Sequence, residues 1–381
     1  MSDYLPIEIQ VEILKKIPVK SLIQCRSVSK AWKSLIDSSD FIAHYSGQQQ
    51  YLLVSYHDST DFDRKYVSIV DDDDAFPRHK VSLTVPAPVD MLKHSRIIGS
   101  SHGLMCLYSD YGETAVVWNI SIRKAVAVNV PNVGDYYRYE AVLGFGVCGE
   151  TSDPKIVKIT PIVMDSTSSM PWQIDVFTLS TGAWRRPYST NLPRKSLNFD
   201  CSLLGVVVDG DFCWLVTDRI TMDGERRSIN LIISFDLTSE EFTEINLPDA
   251  LAHFQCRHLS MSKLRESLVL IQGYLCNDNV FHVWMMMEDG VPKLFTKMFT
   301  ICTPGAVVLG VLEFRKTGEP IIEILDYSCD PFEDDSSLVV YEPCSKHITN
   351  LGISGMCSFS SYSYKETLLL LDQPDLTTND I

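Results

Sequence analysis

Two regimes of apolar spacing divide the chain. Between residues 6 and 45 the apolar positions recur at helical intervals. Pro6 fits a first helical turn, where its missing N–H is not needed. From there Ile9, Ile13, Leu14 and Ile17 fall at i, i+4, i+5 and i+8, one stripe of a helix. Glu8, Gln10, Glu12, Lys15 and Lys16 mostly take the other side. Pro18 ends this helix and can open a second. That second helix runs over about Val19 to Cys25, with Val19, Leu22 and Ile23 inward. Ser27 or Ser29 offers an N-cap for a third helix, whose apolar positions are Val28, Trp32, Leu35 and Ile36. Ser38, Ser39 and Asp40 break it, and Phe41 to Tyr45 predict one more turn. The polar run Ser46-Gly47-Gln48-Gln49-Gln50 reads as a linker.

After residue 50 the helical period fades and short β-rich runs bounded by turn residues take over. They predict strands at Tyr51–Tyr56, Tyr66–Val70, Gly103–Tyr108, Ala115–Asn119, Ile156–Ile162, Ile174–Leu179, Gly205–Val208, Phe212–Val216, Leu231–Asp236, Leu268–Ile271, Phe281–Met286, Ile321–Leu325 and Leu338–Tyr341. A weak repeat runs through them: an apolar strand, a polar turn, then a second strand. It reads VVWNISIRKAVAV at 116–128, IDVFTLSTGAWRR at 174–186, IISFDLTSEEFTEI at 232–245 and LVVYEPCSKHITNL at 338–351, with a longer-turned unit at 281–298. A sixth unit fits Tyr66–Leu83. Trp118, Phe177, Phe235, Trp284 and Tyr341 align at steps of 59, 58, 49 and 57 residues. Steps near fifty suit a kelch-type blade of four strands, and six such blades fill residues 51–381. A large β-sandwich is the alternative. A propeller must close, because open edges invite aggregation; Tyr51–Val54 and Thr367–Leu371 are expected to share a blade.

The helical module has only about a dozen large apolar residues, too few for comfortable independent stability. It must therefore pack on the downstream domain or keep an apolar face for a partner. The net charge of −16 is unevenly placed. Residues 1–50 are almost neutral, with six Lys/Arg against five Asp/Glu, and the remainder holds 27 basic against 44 acidic residues. Such a surface argues against nucleic acid and allows a basic protein partner. Eleven cysteines lie scattered without a C-x-x-C pair, the pattern of reduced thiols. No apolar run long enough to span a membrane and no signal-peptide pattern is seen, so the cytosol or nucleus is expected.

The module carries a resemblance. Leu5-Pro6-x-Glu8-Ile9, Ile13-Leu14, Ile17-Pro18-Val19-Lys20-Ser21-Leu22, then Cys25-Arg26-Ser27-Val28-Ser29-Lys30-x-Trp32-x-x-Leu35-Ile36 and Phe41 resemble the F-box. The resemblance implies a three-helix module at 1–45 that docks on the Skp adaptor of SCF-type ubiquitin ligases, and through it on cullin. Leu5, Pro6, Ile9, Ile13, Leu14, Pro18, Leu22, Val28 and Trp32 match positions that build or contact that interface, although Val28, Trp32 and Leu35 suit the module's own core equally well. The long region continues the resemblance. Gly99-Ser-Ser-His102-Gly103-Leu104-Met-Cys106-Leu107, Leu143-Gly144-Phe145-Gly146, Asp153-Pro154-Lys155-x-Val157-Lys158, Thr178-Leu-Ser-Thr181-Gly182-Ala-Trp184-Arg185 and Gly210-Asp-Phe-Cys-Trp214-Leu215 are similar to plant F-box/kelch-repeat proteins with an F-box-associated (type 1) interaction domain. The usual Tyr-Asp after the Gly144 block is missing. The implied role is a non-catalytic substrate adaptor whose β-domain, at 51–381, recognises a target protein.

Other features give no chemistry. Asp71–Asp74 lacks EF-hand spacing and reads as a solvated loop. Cys256 and His258 are too few for a zinc site. No Ser-His-Asp grouping, H-E-x-x-H or phosphate loop is visible, so neither a cofactor nor a metal is expected. Trp118, Trp184, Trp214 and Trp284 are expected at comparable blade positions, and Asn119-Ile120-Ser121 is a chance sequon. An enzyme on a propeller and a scaffold that binds the Skp adaptor without cullin are the competing readings.

Overall fold

The computed structural model describes residues 5–72, 76–92, 95–109, 113–131, 141–161, 172–189, 191, 193–194, 196–199, 205–222, 225–274, 280–287, 294–303, 306–325 and 335–373. Asp73 and Asp74, and the turn at 288–293, lie outside them. The chain divides into two compact units. One comprises Met1–Leu53, Tyr66–Asn132 and Ser363–Ile381; the other comprises Val54–Lys65 and Val133–Tyr362.

The first unit opens with four short helices: α1 (Ile7–Leu14), α2 (Val19–Cys25), α3 (Lys30–Ile36) and α4 (Ser39–His44). Proline occupies the N-cap position of the first two, and serine caps the others. Ser29 Oγ accepts from the Trp32 N–H at 3.1 Å, and Ser38 Oγ from the Phe41 N–H at 3.3 Å. Ser38 thus starts the fourth helix rather than merely ending the third. Leu14, Val19, Leu22, Ile36, Phe41, Ile42 and Tyr45 are buried.

The module is fastened to its own unit. The Tyr45 hydroxyl donates to the Ile17 carbonyl at 2.7 Å, the Gly47 N–H donates to the Glu366 carbonyl at 2.8 Å, and a β-carbon on Gly47 would crowd Glu366. Gly47, within the expected linker at 46–50, is therefore pinned to its own unit. The next strand begins at Gln50.

The strands follow in chain order: β1 (Gln50–His57), β2 (Arg64–Val70), β3 (Lys80–Ser82), β4 (Ser95–Ser101), β5 (Leu104–Ser109), β6 (Thr114–Asn119), β7 (Lys124–Asn129), β8 (Val142–Val147), β9 (Pro154–Pro161), β10 (Trp172–Thr178), β11 (Ala183–Arg185), β12 (Leu197–Phe199), β13 (Val206–Val208), β14 (Asp211–Met222), β15 (Glu225–Asp236), β16 (Phe242–Asn246), β17 (Leu259–Leu264), β18 (Ser267–Tyr274), β19 (Val280–Met287), β20 (Leu294–Cys302), β21 (Val308–Phe314), β22 (Pro320–Leu325), β23 (Asp335–Tyr341) and β24 (Ile348–Lys365). Each of the thirteen expected strands overlaps one of these; Gly103, Leu179 and Gly205 fall just outside their strands, and Ile162 lies outside the described residues. The sheets are β4-β5-β6-β7, β8-β9-β10-β11, β12-β14-β15-β16 with β13 on β14, β17-β18-β19-β20, and a seven-stranded sheet β21-β22-β23-β24-β1-β2-β3. The described ladders are antiparallel, so hairpins link neighbours.

The sequence repeat has a structural meaning. Each unit is the last hairpin of a four-strand series: β6–β7, β10–β11, β15–β16, β19–β20 and β23–β24, with the sixth unit at β2–β3. The aligned aromatic sits on the first strand of the first five hairpins, and Trp118, Phe177, Phe235 and Tyr341 are buried there. The tryptophans behave differently from expectation. Trp118 and Trp284 hold comparable strands, but Trp184 lies on β11 and Trp214 on β14, so their spacing reflects no common site.

In the second unit successive sheets pack face to face, a propeller-like arrangement. Val157, Ile159, Ile174 and Val176 of β9 and β10 meet Phe212, Trp214, Ile233 and Phe235 of β14 and β15. Leu215, Ile232 and Ile245 meet Leu268 and Leu270. Val269, Ile271, Phe281 and Val283 meet Ile322, Val339 and Tyr341. Each such seam removes a continuous apolar surface from water, at about 25 cal/mol per Å².

The closing strand is not the one expected. β24 pairs β23 through Met356 and then continues beside β1. Tyr56 stacks on Phe359 in one unit, with ring centroids 5.4 Å apart, and Tyr51 on Tyr364 in the other, at 5.3 Å. Thr367–Leu371 is not a strand. It is a buried tail, tied by Asn119, whose amide donates to the Thr367 and Leu369 carbonyls at 3.1 and 2.6 Å. The same bonds leave the Asn119-Ile120-Ser121 sequon with no free amide to modify.

Candidate docking face

Helix α1 reads IEIQVEIL, apolar at nearly every second position. An α-helix turns 100° per residue, so that pattern puts isoleucines on more than one side. One side is filled from within: Leu14 is 1% exposed. The other stays open, with Ile7 at 52%, Ile9 at 48% and Ile13 at 47% exposure. Ile9 and Ile13, four residues apart, lie on the same face. Leu5 is 48% exposed just before the helix, and Val28, in the turn between α2 and α3, is 68% exposed. These residues are apolar, exposed, and carried by a module whose core positions are already occupied.

The face is held by hydrogen bonds from behind. Trp32 Nε1 donates to Gln10 Oε1 at 2.9 Å, joining α3 to α1, and Gln10 Nε2 donates to the Leu5 carbonyl at 2.9 Å. The half-buried Trp32 therefore fixes where Leu5 and Pro6 enter the helix. Arg26 grips Asp37 with two bonds, of 2.6 and 3.0 Å, locking the ends of α2 and α3.

The nine residues expected at the interface separate into three groups. Leu5, Pro6, Ile9, Ile13, Pro18 and Val28 are on the surface. Trp32 is half-buried and positions others. Leu14 and Leu22, at 1% and 0% exposure, lie inside the module, where they build it from within. Val28 is likewise outside the core that helical spacing assigned to it, because it precedes the Ser29 cap instead of lying in the helix. Ile7 was missed; the alternation within α1 is the signal for it.

Asp71 is buried rather than at a solvated tip, its N–H bonded to the Gln50 carbonyl. Among the described residues no group of three or more His, Cys, Asp or Glu could hold a metal ion, and no helix is long and apolar enough to cross a membrane. His102 and Gly103 are turn residues, with φ of 50° and 75°, the conformation a two-residue hairpin between β4 and β5 requires.

The chain is thus a small helical module with an open apolar face, followed by serial four-stranded antiparallel sheets. Residues 3–44 match the F-box domain, and residues 52–315 match the F-box associated beta propeller domain. The chain belongs to this family of F-box proteins. It is 27% identical over 327 residues to the F-box protein CPR1 of Arabidopsis thaliana, covering 80% of this chain and 74% of that protein. It is 24% identical over 339 residues to an F-box/kelch-repeat protein of the same plant, covering 82% and 85%.

Proposed function

We propose that the chain is the substrate-recognition subunit of an SCF-type ubiquitin ligase. The face of Leu5, Ile7, Ile9, Ile13 and Val28 docks on a Skp-type adaptor, which brings cullin, and the β-domain holds a target protein. The observation that carries this is the open isoleucine row on α1 beside a module core that is already filled. An exposed apolar patch on so small a unit is a docking surface by ordinary physical logic. The chain itself makes and breaks no bond; it raises the effective concentration of target lysines near the charged enzyme. The β-domain is read as a kelch-like propeller of six blades, with β24 serving two. Its first half completes β21-β22-β23, and its second half completes β1-β2-β3. The cytosol or nucleus suits this role.

The test is co-purification with a Skp-type adaptor. Wild type should form a stoichiometric complex, and the Ile9→Asp, Ile13→Asp variant should not, since a charge forced into an apolar interface costs several kcal/mol. A well-folded wild type that binds no adaptor sinks the reading. Whether cullin joins the complex separates a ligase subunit from a scaffold that binds the adaptor alone.

A further inference from the structure

Beyond residue 50 carboxylates outnumber cations 44 to 27, yet one cleft of the second unit inverts that balance. It has a volume of about 570 Å³ and lies against β14 and β15. Its floor is Thr217 and Asn230, cross-strand partners in the β14–β15 ladder. Asn230 is buried, and its amide is fully engaged. Nδ2 donates to the Leu251 and Phe254 carbonyls at 3.0 and 2.7 Å, and Oδ1 accepts from Thr217 Oγ1 at 3.2 Å. One side chain thus anchors the segment from residue 251 to 254, which leads into the cleft's wall.

Arg219 and Ser228, the next cross-strand pair on the same face, line the cleft with His253 and Arg257. No Asp or Glu is among its described lining residues. The adjacent Asp218 points to the other face, as strand alternation requires, and is taken by Arg194 at 2.8 Å. Arg219 makes no ion pair among the described residues. Arg257 uses its Nε on Gln255 Oε1 and His258 Nε2, at 3.2 and 3.0 Å, which leaves its two terminal amino groups.

On a chain so rich in carboxylates, two exposed guanidinium groups without a carboxylate partner among the described residues leave room for one supplied from outside. We propose that this cleft binds an anionic side chain, a carboxylate or a phosphate, on a segment of the target protein. The proposal rests on the adaptor reading for the identity of that segment as a target. Guanidinium forks match both oxyanions in geometry, and the Ser228 hydroxyl adds a further donor, while Thr217 spends its hydroxyl hydrogen on Asn230. The anchored wall means little is left to order on binding. The volume lies within the range that takes a few side chains. The acidic surface around it would meanwhile repel targets that are acidic throughout, so the cleft selects an acidic segment on an otherwise neutral or basic partner.

The experiment is fluorescence anisotropy with the full chain and four random ten-residue peptide pools, fixed in the centre with two Glu, one phosphoserine, two Lys or two Ala. The Glu or the phosphoserine pool should bind about tenfold or more tighter than the Ala pool. Phosphoserine alone would identify phosphate as the group; equal binding would identify charge. Arg219→Ala with Arg257→Ala should erase the preference, Arg219→Glu with Arg257→Glu should turn it toward the Lys pool, and Arg186→Ala, exposed but outside the cleft, should leave it unchanged. No preference in the wild type, or one that survives both arginine substitutions, overturns the proposal. Adaptor co-purification is run on the same preparations. Retained adaptor binding with a silent cleft sinks only the cleft; a working cleft without adaptor binding sinks only the adaptor reading.

Discussion

The backbone N–H of Val19, the first residue of α2, donates to Glu366 Oε2 at 3.1 Å. One carboxylate just beyond the closing strand thereby holds the start of a helix 347 residues away in sequence. Glu366 also bonds the module's exit through its carbonyl to Gly47. Burial pushes its carboxyl above the usual range, and the Val19 bond only partly offsets this. Tyr45 and Tyr51 share the pocket, and both phenols are pushed up, by burial first and then by the Glu366 charge.

The sign of the resulting pH dependence is fixed. A carboxyl with a raised folded pKa binds more protons in the native state than in the unfolded one, between the ordinary value and the raised value. Stability therefore falls as pH rises through that window. Glu366→Gln keeps an oxygen acceptor for the Val19 N–H and removes the charge. Urea unfolding at about pH 4.5 and at neutral pH should show the variant gaining on the wild type at the higher pH. A difference between the two proteins that does not change with pH would refute the assignment.

Buried and exposed positions of the module should fail in different ways. Leu14→Ala and Leu22→Ala empty filled core positions and should each destabilise by about 2–5 kcal/mol, lowering adaptor binding only as far as they unfold the module. Ile9→Asp and Ile13→Asp should leave the far-UV spectrum and the melting temperature nearly unchanged while abolishing the adaptor complex. Circular dichroism beside pull-down separates the two. Equal loss of fold in both sets would mean that the isoleucine row packs on something within the chain.

Much of this was legible in the sequence, for identifiable reasons. The final hairpin of each series carries an apolar strand, a polar turn and an aromatic, so the repeat could be read. Strands such as β8 and β24 could not, because glycine stands where a neighbour occupies the side-chain space. A β-carbon on Gly144 would meet the Phe212 and Trp214 rings, and one on Gly355 would meet the Tyr56 ring. Those glycines look like turns and are instead contacts between strands. The Gly103 motif was legible as a family mark, but its cause is that a β-carbon would strike the Lys365 carbonyl. In the module, alternation in α1 announces apolar residues without saying which side is filled. The cleft was invisible, since Arg219, His253 and Arg257 meet only through the fold.

The tail after Glu366 should matter more than its lack of secondary structure suggests. Leu368, Leu369, Leu370 and Leu371 are all buried. Lys124 Nζ holds the end, donating to the Leu371 and Gln373 carbonyls at 3.2 and 2.6 Å. At roughly 1.5–3 kcal/mol for each buried leucine, deleting residues from Thr367 onward should cost on the order of 5 kcal/mol or more. Asn119→Ala, which frees two tail carbonyls, should cost about 1–3 kcal/mol. Thermal melts of both variants would check this, and a deletion that melts with the wild type would show that the tail is dispensable.

Glu240 offers the sharpest stability test. Its side chain is fully buried at the β15–β16 turn and its backbone is left-handed, with φ of 60°. Arg185 binds it with both terminal nitrogens at 2.6 Å, Lys155 reaches it at 2.9 Å, and the Tyr188 N–H donates at 3.1 Å. Burial alone would raise its pKa, but the bonds from Arg185 and Lys155 outweigh that, and the carboxyl is held below its usual range. A depressed folded pKa means the stabilisation is complete above the ordinary glutamate value and is lost as pH falls through the depressed one. Removing one partner of a buried pair is costly because the other charge stays buried. Glu240→Ala strands Lys155, itself buried, and should destabilise by about 3–5 kcal/mol at neutral pH. Lys155→Met leaves Glu240 its two bonds to Arg185 and should cost less. Both variants should lose the part of the acid sensitivity that Glu240 contributes, in order of severity. Denaturant unfolding of the three proteins from neutral pH down to about pH 3.5 reads both effects, and a Glu240→Ala variant as stable as the wild type would show that the cluster contributes no net stability.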